Sequence, residues 1–275
     1  IIDAFFQDLG SKVGQFLQGD WEDRAQFDFC AVFFEMCLSA VFLMSRDVKI
    51  KNIKSDIGPD FQLKCGDIEI IVEATCPSIG TGNNAIPPLT PWIMQTIDGE
   101  KMQLRLTSAL KDKLKQYENW KINSSLPYVV AISLSKFPVS SIYHDSLILG
   151  AFYPIGKAKY RWPAEGDFSE GECYYDRQEE IQKPNEKKSL ISKTFLEKEY
   201  SSVSAVLVSR CGCINYIGLF GQDRPVYTDS CEAICNDLIL IHNFQAVNPL
   251  PTGILSVEAE YCYKETGEWC HLVKV

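Results

Sequence analysis

Residues 58–75, GPDFQLKCGDIEIIVEAT, carry the pattern that decides the fold. Within this stretch, Phe61–Leu63 and Ile68–Ala74 are apolar-rich runs typical of strands, and the Cys-Gly-Asp sequence at 65–67 is typical of a tight turn. Upstream, Val48–Ile53 alternates apolar side chains with lysines, which indicates another strand. The region therefore predicts three consecutive strands in an antiparallel meander.

Helical patterns lie on both sides of the meander. The apolar side chains of residues 20–46 are too dense for one narrow stripe, so we expect a first helix that is buried on most sides. Helical periodicity returns over Lys101–Trp120, and Leu126–Leu134 (LPYVVAISL) is a continuous apolar run typical of a central strand covered on both faces. The predicted order is helix, three-strand meander, helix and strand, in an α/β fold.

The remainder of the chain predicts further elements of the same kind. Buried strands are expected at Leu147–Phe152, Val203–Val208 and Leu238–Ile241, and a short helix at Ser189–Tyr200. Between the first two of these strands, residues 158–185 are polar and rich in acids and aromatics, and no strand is predicted there.

No repeat, low-complexity tract or linker divides the chain. We therefore expect a single elaborated α/β domain over residues 1–275, with its core at 20–135 and an extension of the sheet and surrounding elements at 136–275. Composition supports this expectation, because 46% hydrophobic and 23% charged residues are ordinary for a globular protein.

The sequence carries no pattern typical of membrane insertion or export. Its longest apolar stretch, Phe27–Met44, is interrupted by Asp28 and Glu35, which argues against a membrane span and against a signal peptide. We expect a cytoplasmic protein without membrane attachment. The chain begins at Ile1 without methionine, which suggests processing or truncation.

Cysteine usage favours a reducing compartment, because the 11 cysteines are scattered and odd in number. A zinc-stabilised module in the C-terminal half is a separate hypothesis, and buried thiols acting as small hydrophobic side chains are its simpler alternative. The candidate zinc ligands are Cys211, Cys213, Cys231, Cys235, Cys262 and Cys270.

Two carboxylates flank the predicted hairpin. Asp60 precedes its first strand, and Glu73 lies at the end of its second. With a turn at residues 65–67, the hairpin can place both carboxylates side by side at one end of the sheet. Paired oxygen ligands that leave water positions open suit Mg²⁺ or Mn²⁺, which lowers the pKa of a bound water and stabilises charge on a phosphate.

A third acid, Glu35, lies in the middle of the first predicted helix. A charged group at such a position is costly to bury without a partner. Glu35 is therefore either a satisfied core acid or a site residue that faces a cleft.

These residues resemble the PD-(D/E)xK nuclease superfamily, whose restriction-endonuclease-like core has the predicted order of elements. Pro59-Asp60 resembles the PD of the motif, and Glu73-Ala74-Thr75 resembles its ExK. The resemblance implies that Asp60 and Glu73 bind Mg²⁺ or Mn²⁺ and that Glu35 is a further ligand or contacts a metal-bound water. Thr75 departs from the pattern, because it stands where the family has its catalytic lysine.

The second predicted helix offers a replacement for that lysine. Arg105, Ala109, Lys113 and Tyr117 are spaced at four residues and share one helix face. Movement of the lysine to this helix is familiar in the superfamily, and RLTSALKDK at 105–113 is similar to a stretch of uncharacterised bacterial members. Lys113 is predicted to be the relocated lysine, and Arg105 a clamp on the phosphate or the transition state.

The resemblance implies a metal-dependent nuclease that hydrolyses phosphodiester bonds of DNA or RNA, with Asp60, Glu73, Lys113 and Arg105 as catalytic residues. The alternative is a catalytically decayed nuclease-fold protein that acts as a binding or interaction module. In a purely structural version of that alternative, Glu35 is a core acid paired with Arg105. A formal net charge of −9 favours the alternative, because nucleic-acid binders usually present basic surfaces.

Overall fold

A computed structural model of the chain describes most of its residues. The described residues are 10–11, 13–17, 20–45, 47–51, 58–87, 99–118, 125–137, 145–161, 172–178, 180–182, 189–191, 194–210, 237–266 and 269–274.

Two helices, α1 (Trp21–Phe27) and α2 (Phe29–Met44), take the place of the single helix predicted over residues 20–46. They separate at Asp28, whose backbone leaves the helical region and whose side chain caps α2 by accepting a hydrogen bond from Ala31 N at 3.1 Å. Residues 32–42 are all buried, as the dense apolar pattern predicted. The break at Asp28 lets α1 fold back along α2.

Ten strands of the described chain form one mixed sheet, and two more pair as a separate hairpin. The strands are β1 (Val48–Lys51), β2 (Phe61–Cys65), β3 (Ile68–Thr75), β4 (Tyr128–Ser133), β5 (Ile155–Arg161), β6 (Glu172–Arg177), β7 (Glu180–Gln182), β8 (Ser189–Ile191), β9 (Ala205–Ser209), β10 (Leu238–His242), β11 (Ala259–Thr266) and β12 (Trp269–Lys274). The sheet order is β1-β2-β3-β4-β9-β10-β11-β12-β6-β5, and β7 pairs with β8.

The meander predicted from residues 48–74 is present. Strands β1, β2 and β3 pair in antiparallel fashion, and β3 then runs parallel to β4, which runs parallel to β9. A long helix, α3 (Gly99–Glu118), connects β3 to β4. The protein is thus an α/β protein with a mixed sheet, and its elements follow the predicted order of helix, meander, helix and strand.

Two apolar cores lie on the two faces of the sheet. One core packs α2 against Val72 and Ala74, and the other packs α3 against Ile71 and Val130. Because side chains alternate along a strand, Glu73 points to the α3 face. All six residues of β4 are buried, as expected for a strand covered on both sides.

The second half of the chain agrees less well with the predictions. Strands predicted at 203–208 and 238–241 are confirmed as β9 and β10. The strand predicted at Leu147–Phe152 is wrong, because the chain forms a short helix, α4 (Asp145–Leu149), and then a buried turn. The helix predicted at Ser189–Tyr200 is also wrong, since β8 and two single-turn 3₁₀ helices occupy those residues.

Five strands of the described chain lie where the sequence predicted no element. They are β5, β6, β7, β11 and β12. Among the described helices, none combines the length and the apolar composition needed to cross a bilayer.

Candidate active site

Asp60 and Glu73 lie side by side at the point where β2 begins. Phe61 pairs with Val72 across the hairpin, so the preceding residue, Asp60, lies next to Glu73. The Asp60 N–H donates to Glu73 Oε2 at 3.2 Å, and Asp60 Oδ2 accepts from Ala74 N at 2.7 Å. The hairpin register thus brings together the two carboxylates that the sequence singled out.

Helix α3 supplies the cation beside this pair. Lys113 Nζ donates to Glu73 Oε1 at 2.6 Å and to Gln116 Oε1 at 3.3 Å. The Glu73 side chain is only 3% exposed and that of Lys113 19%. The ammonium of Lys113 therefore lies at the edge of the buried pair, with one side towards solvent.

Helix α1 supplies a second cation, Arg24, which the sequence analysis missed. Its Nη2 atom forms an ion pair with Glu35 Oε1, and Glu35 is buried in α2. The structure therefore gives Glu35 the partner Arg24, where the structural alternative had assigned Arg105. In one continuous helix, Arg24 and Glu35 would lie about three turns apart. They meet because the helix breaks at Asp28 and α1 folds back against α2.

The three acids titrate abnormally because they are buried close to one another. Burial, followed by the nearby Asp60 charge, raises the pKa of Glu35 to about 7 and that of Glu73 to about 7. The pKa of Asp60 is also raised by its burial, although Lys113 and the Ala74 N–H act in the opposite direction. When all five groups are ionised, three carboxylates and two cations give −3 + 2 = −1.

A divalent cation fits the Asp60–Glu73 pair better than it fits the three predicted ligands together. Within the described part of the chain, no group of three or more His, Cys, Asp or Glu side chains is arranged to hold a metal ion. Glu35 lies on α2 and pairs with Arg24, whereas Asp60 and Glu73 are joined directly by a hydrogen bond from the Asp60 N–H. Two carboxylates with waters and substrate oxygens are a usual ligand set for Mg²⁺, and a positive ion offsets the repulsion between the two buried acids.

Arg105 lies on the same face of α3 as Lys113, but its guanidinium lies at Gly80 rather than at the carboxylates. Its guanidinium packs on the backbone of Gly80, where an added Cβ would lie 2.0 Å from Nη2. Arg105 and Lys113 both line a cavity of about 210 Å³ between α3 and the residues that follow β3. The two predicted cations therefore share a cavity, and Lys113 is the one that bonds to Glu73.

The zinc hypothesis falls mostly outside the described residues. Cys211, Cys213, Cys231 and Cys235 all belong to that undescribed part of the chain, whereas Cys262 lies on β11. Comparisons of the chain with protein-family models, with curated proteins and with solved structures found no match. Since a fold by itself does not imply a function, the geometry of the site has to carry the functional inference.

Proposed function

We propose that this protein is a metal-dependent nuclease in which Asp60 and Glu73 hold a Mg²⁺ or Mn²⁺ ion beside Lys113. One observation carries the proposal. Two buried carboxylates lie side by side at one end of a mixed sheet, and an ammonium from the following helix bonds to one of them at 2.6 Å.

The order of elements supports the proposal. A helix, an antiparallel meander, a second helix and a strand parallel to the third strand resemble the restriction-endonuclease-like core of the PD-(D/E)xK superfamily. In this proposal Asp60 and Glu73 correspond to the family's two acids, and Lys113 supplies from α3 the positive charge that Thr75 cannot supply from β3.

Each side chain has a distinct task in this proposal. Asp60 and Glu73 are ion ligands, and they are oriented by the Ala74 N–H and by Lys113. A bound divalent ion would lower the pKa of a bound water and neutralise charge on a phosphate. Lys113 borders the cavity, so its ammonium can also donate to a phosphate oxygen and stabilise negative charge there.

The Arg24–Glu35 ion pair lies near Asp60. Glu35 lies near enough to Asp60 for its pKa to be raised by that charge, and Arg24 acts in the opposite direction. We assign Glu35 to orienting a water rather than to direct ligation, because the hydrogen bond from Asp60 N–H to Glu73 makes those two acids the adjacent pair. A cytoplasmic location, which the scattered cysteines favour, agrees with this chemistry.

A catalytically decayed binding module is the second candidate. It is favoured by the net charge of −9, which opposes general binding to nucleic acid. The nuclease would cleave nucleic acid and the binding module would not, and both functions require an intact fold.

A cleavage assay on single- and double-stranded DNA and RNA in Mg²⁺ or Mn²⁺ tests the proposal. The variants are Asp60→Asn and Lys113→Met, with Lys111→Met as the matched control because Lys111 is exposed and contacts Glu199 at 3.6 Å. We expect both site variants to lose about 100-fold or more in rate and the control to stay at the wild-type rate.

Calorimetric titration with Mn²⁺ separates the possible outcomes. Equal residual cleavage in the wild type and both site variants would indicate a contaminant and refute the mechanism. Binding of Mn²⁺ that Asp60→Asn abolishes, without cleavage of any substrate, would favour the decayed module. Failure of the wild type to bind Mn²⁺ would remove the basis of the proposal.

A further inference from the structure

The cavity beside Lys113 has room for more than a single water. Its volume is about 210 Å³, whereas about 10–15 Å³ measured in the same way is enough for one water. Pockets that hold entire small-molecule ligands begin at about 300 Å³. Its lining is polar as well as apolar, with hydroxyls from Ser78 and Ser108 and the guanidinium of Arg105. These features suit one charged group of a larger ligand.

Arg105 is held in place at this cavity by Gly80. The residue at position 80 has φ +88°, in the left-handed region that favours glycine, and an added Cβ would lie 2.0 Å from Arg105 Nη2 and 2.2 Å from Cζ. The guanidinium thus rests on bare backbone where any other residue would displace it. An arginine that is ordered before binding loses less conformational entropy when it engages an anion.

Arg105 and Lys113 lie about two turns apart along α3. Eight residues separate them, which corresponds to about 12 Å of helix rise. Lys113 is fixed at the carboxylate pair by its bond to Glu73. Arg105 therefore marks a second position for negative charge at a distance from the ion-binding pair.

Among the described residues that line the cavity, Arg105 and Lys113 are the two with cationic side chains. Proteins that bind duplex DNA commonly neutralise about 6–10 phosphates. A net charge of −9 and a cavity with two cations fit a ligand that is held through very few phosphates.

We propose that this cavity is a subsite for a phosphate neighbouring the cleaved one on a single nucleic-acid strand, and that Arg105 binds that phosphate. The inference rests on the proposed nuclease function and names its substrate class. The sequence suggested that Arg105 clamps the reacting phosphate or the transition state, and this inference assigns it instead to a phosphate beside the cleaved one. Single strands are preferred over duplexes because so few phosphates are contacted.

Asp112 provides a test of opposite sign. Its exposed carboxylate also borders the cavity, and it repels an incoming phosphate. We therefore expect Asp112→Asn to tighten binding and Arg105→Ala to weaken it. A residue with a merely structural role would not produce this pair of effects.

The test measures binding in EDTA at low salt, by fluorescence anisotropy of a labelled ten-nucleotide oligothymidylate. A series of probes carries one uncharged methylphosphonate linkage at each successive position. For the wild type, we expect one position at which the neutral linkage weakens binding by about 10-fold. Arg105→Ala should bind the unmodified probe about 10-fold more weakly and should be insensitive to the neutral linkage at that position. Asp112→Asn should bind about 2–5-fold more tightly.

Gly80→Ala supplies an independent check, because it displaces the guanidinium without removing it. We expect it to reproduce the insensitivity of Arg105→Ala, with thermal melting confirming that each variant is folded. Unchanged position dependence in Arg105→Ala, weaker binding by Asp112→Asn, or no binding by the wild type would each overturn the subsite.

The subsite and the nuclease function can fail separately. Cleavage that depends on Asp60 but shows no phosphate position sensitive to Arg105 removes the subsite and leaves the nuclease. An Arg105-sensitive position without any cleavage removes the nuclease and leaves a single-strand-binding cavity.

Discussion

Replacing Lys113 by methionine tests whether its ammonium stabilises the buried carboxylate pair. Methionine keeps an unbranched apolar side chain on α3 but removes the charge and the hydrogen-bond donor. We expect Lys113→Met to lower the free energy of unfolding of the metal-free protein by about 2–3 kcal/mol.

The magnitude follows from burial and distance. Lys113 Nζ lies 2.6 Å from a Glu73 carboxylate that is 3% exposed, and Asp60 lies beside it. Removing one partner of a fully buried ion pair costs about 3–5 kcal/mol, because the other charge stays buried without compensation. The side chain of Lys113 is 19% exposed and Glu73 also accepts from the Asp60 N–H, so the cost should fall below that range.

Thermal and urea denaturation in EDTA measure this loss. At about 2.1 cal/mol/K per residue, 275 residues give an unfolding entropy of about 0.58 kcal/mol/K, so 2–3 kcal/mol corresponds to a fall of about 3–5 °C in Tm. Lys111→Met is the matched control, since the two side chains of the Lys111–Glu199 contact are 53% and 51% exposed. Its effect should stay within about 0.5 kcal/mol.

A double-mutant cycle with Glu73→Gln identifies the cause of the loss. If the buried charge of Glu73 is responsible, Lys113→Met should cost much less in the Glu73→Gln background, with a coupling energy of about 1–2 kcal/mol. Additive effects, or a Lys113→Met variant as stable as Lys111→Met, would refute the pairing. The assignment of Lys113 as the cation that stabilises Glu73 would then lose its support.

Two further predictions concern stability away from the site. Arg210 donates to Asp145 at 3.0 Å and to Glu258 at 2.5 Å and lies 3.8 Å from Asp237. We expect Arg210→Ala to lower the free energy of unfolding in urea by about 1–3 kcal/mol, and Arg210→Lys to lower it less. Equal losses in the two variants would contradict the multidentate role of the guanidinium. Asn243 is buried and donates from Nδ2 to two backbone carbonyls at 2.9 Å each. Asn243→Ala should therefore lower the free energy of unfolding by about 2–3 kcal/mol. A change below about 0.5 kcal/mol in thermal melts would show that these bonds are dispensable.

The parts of the fold that were predictable are those in which one local pattern determines the structure. Strand β3 shows alternation between the two cores, and the continuous apolar run of β4 has a single stable environment, between helices on both faces of the sheet. The placement of Asp60 beside Glu73 follows from the turn and register of one hairpin, which are short-range properties.

The predictions that were wrong involve choices that local sequence leaves open. The run Leu147–Phe152 is short and apolar, and periodicity cannot distinguish a buried strand from a buried helical turn at that length. The chain forms a turn there, in which the N–H groups of Phe152 and Tyr153 donate to Leu149 O. The partner of Glu35 was missed for a similar reason, since Arg24 reaches it only because Asp28 ends one helix and caps the next.

The acidic net charge and the proposed chemistry can be reconciled by the charge balance within the site. Arg24, Glu35, Asp60, Glu73 and Lys113 carry a formal −1 when all are ionised, so this cluster alone does not attract a phosphate. Addition of one divalent cation changes the sum to −1 + 2 = +1. Because linkage is reciprocal, an ion that favours phosphate binding must itself bind more tightly when the phosphate is present. Nucleic acid should therefore bind the protein more tightly in Mg²⁺ or Mn²⁺ than in EDTA, and fluorescence anisotropy under the two conditions would measure the difference.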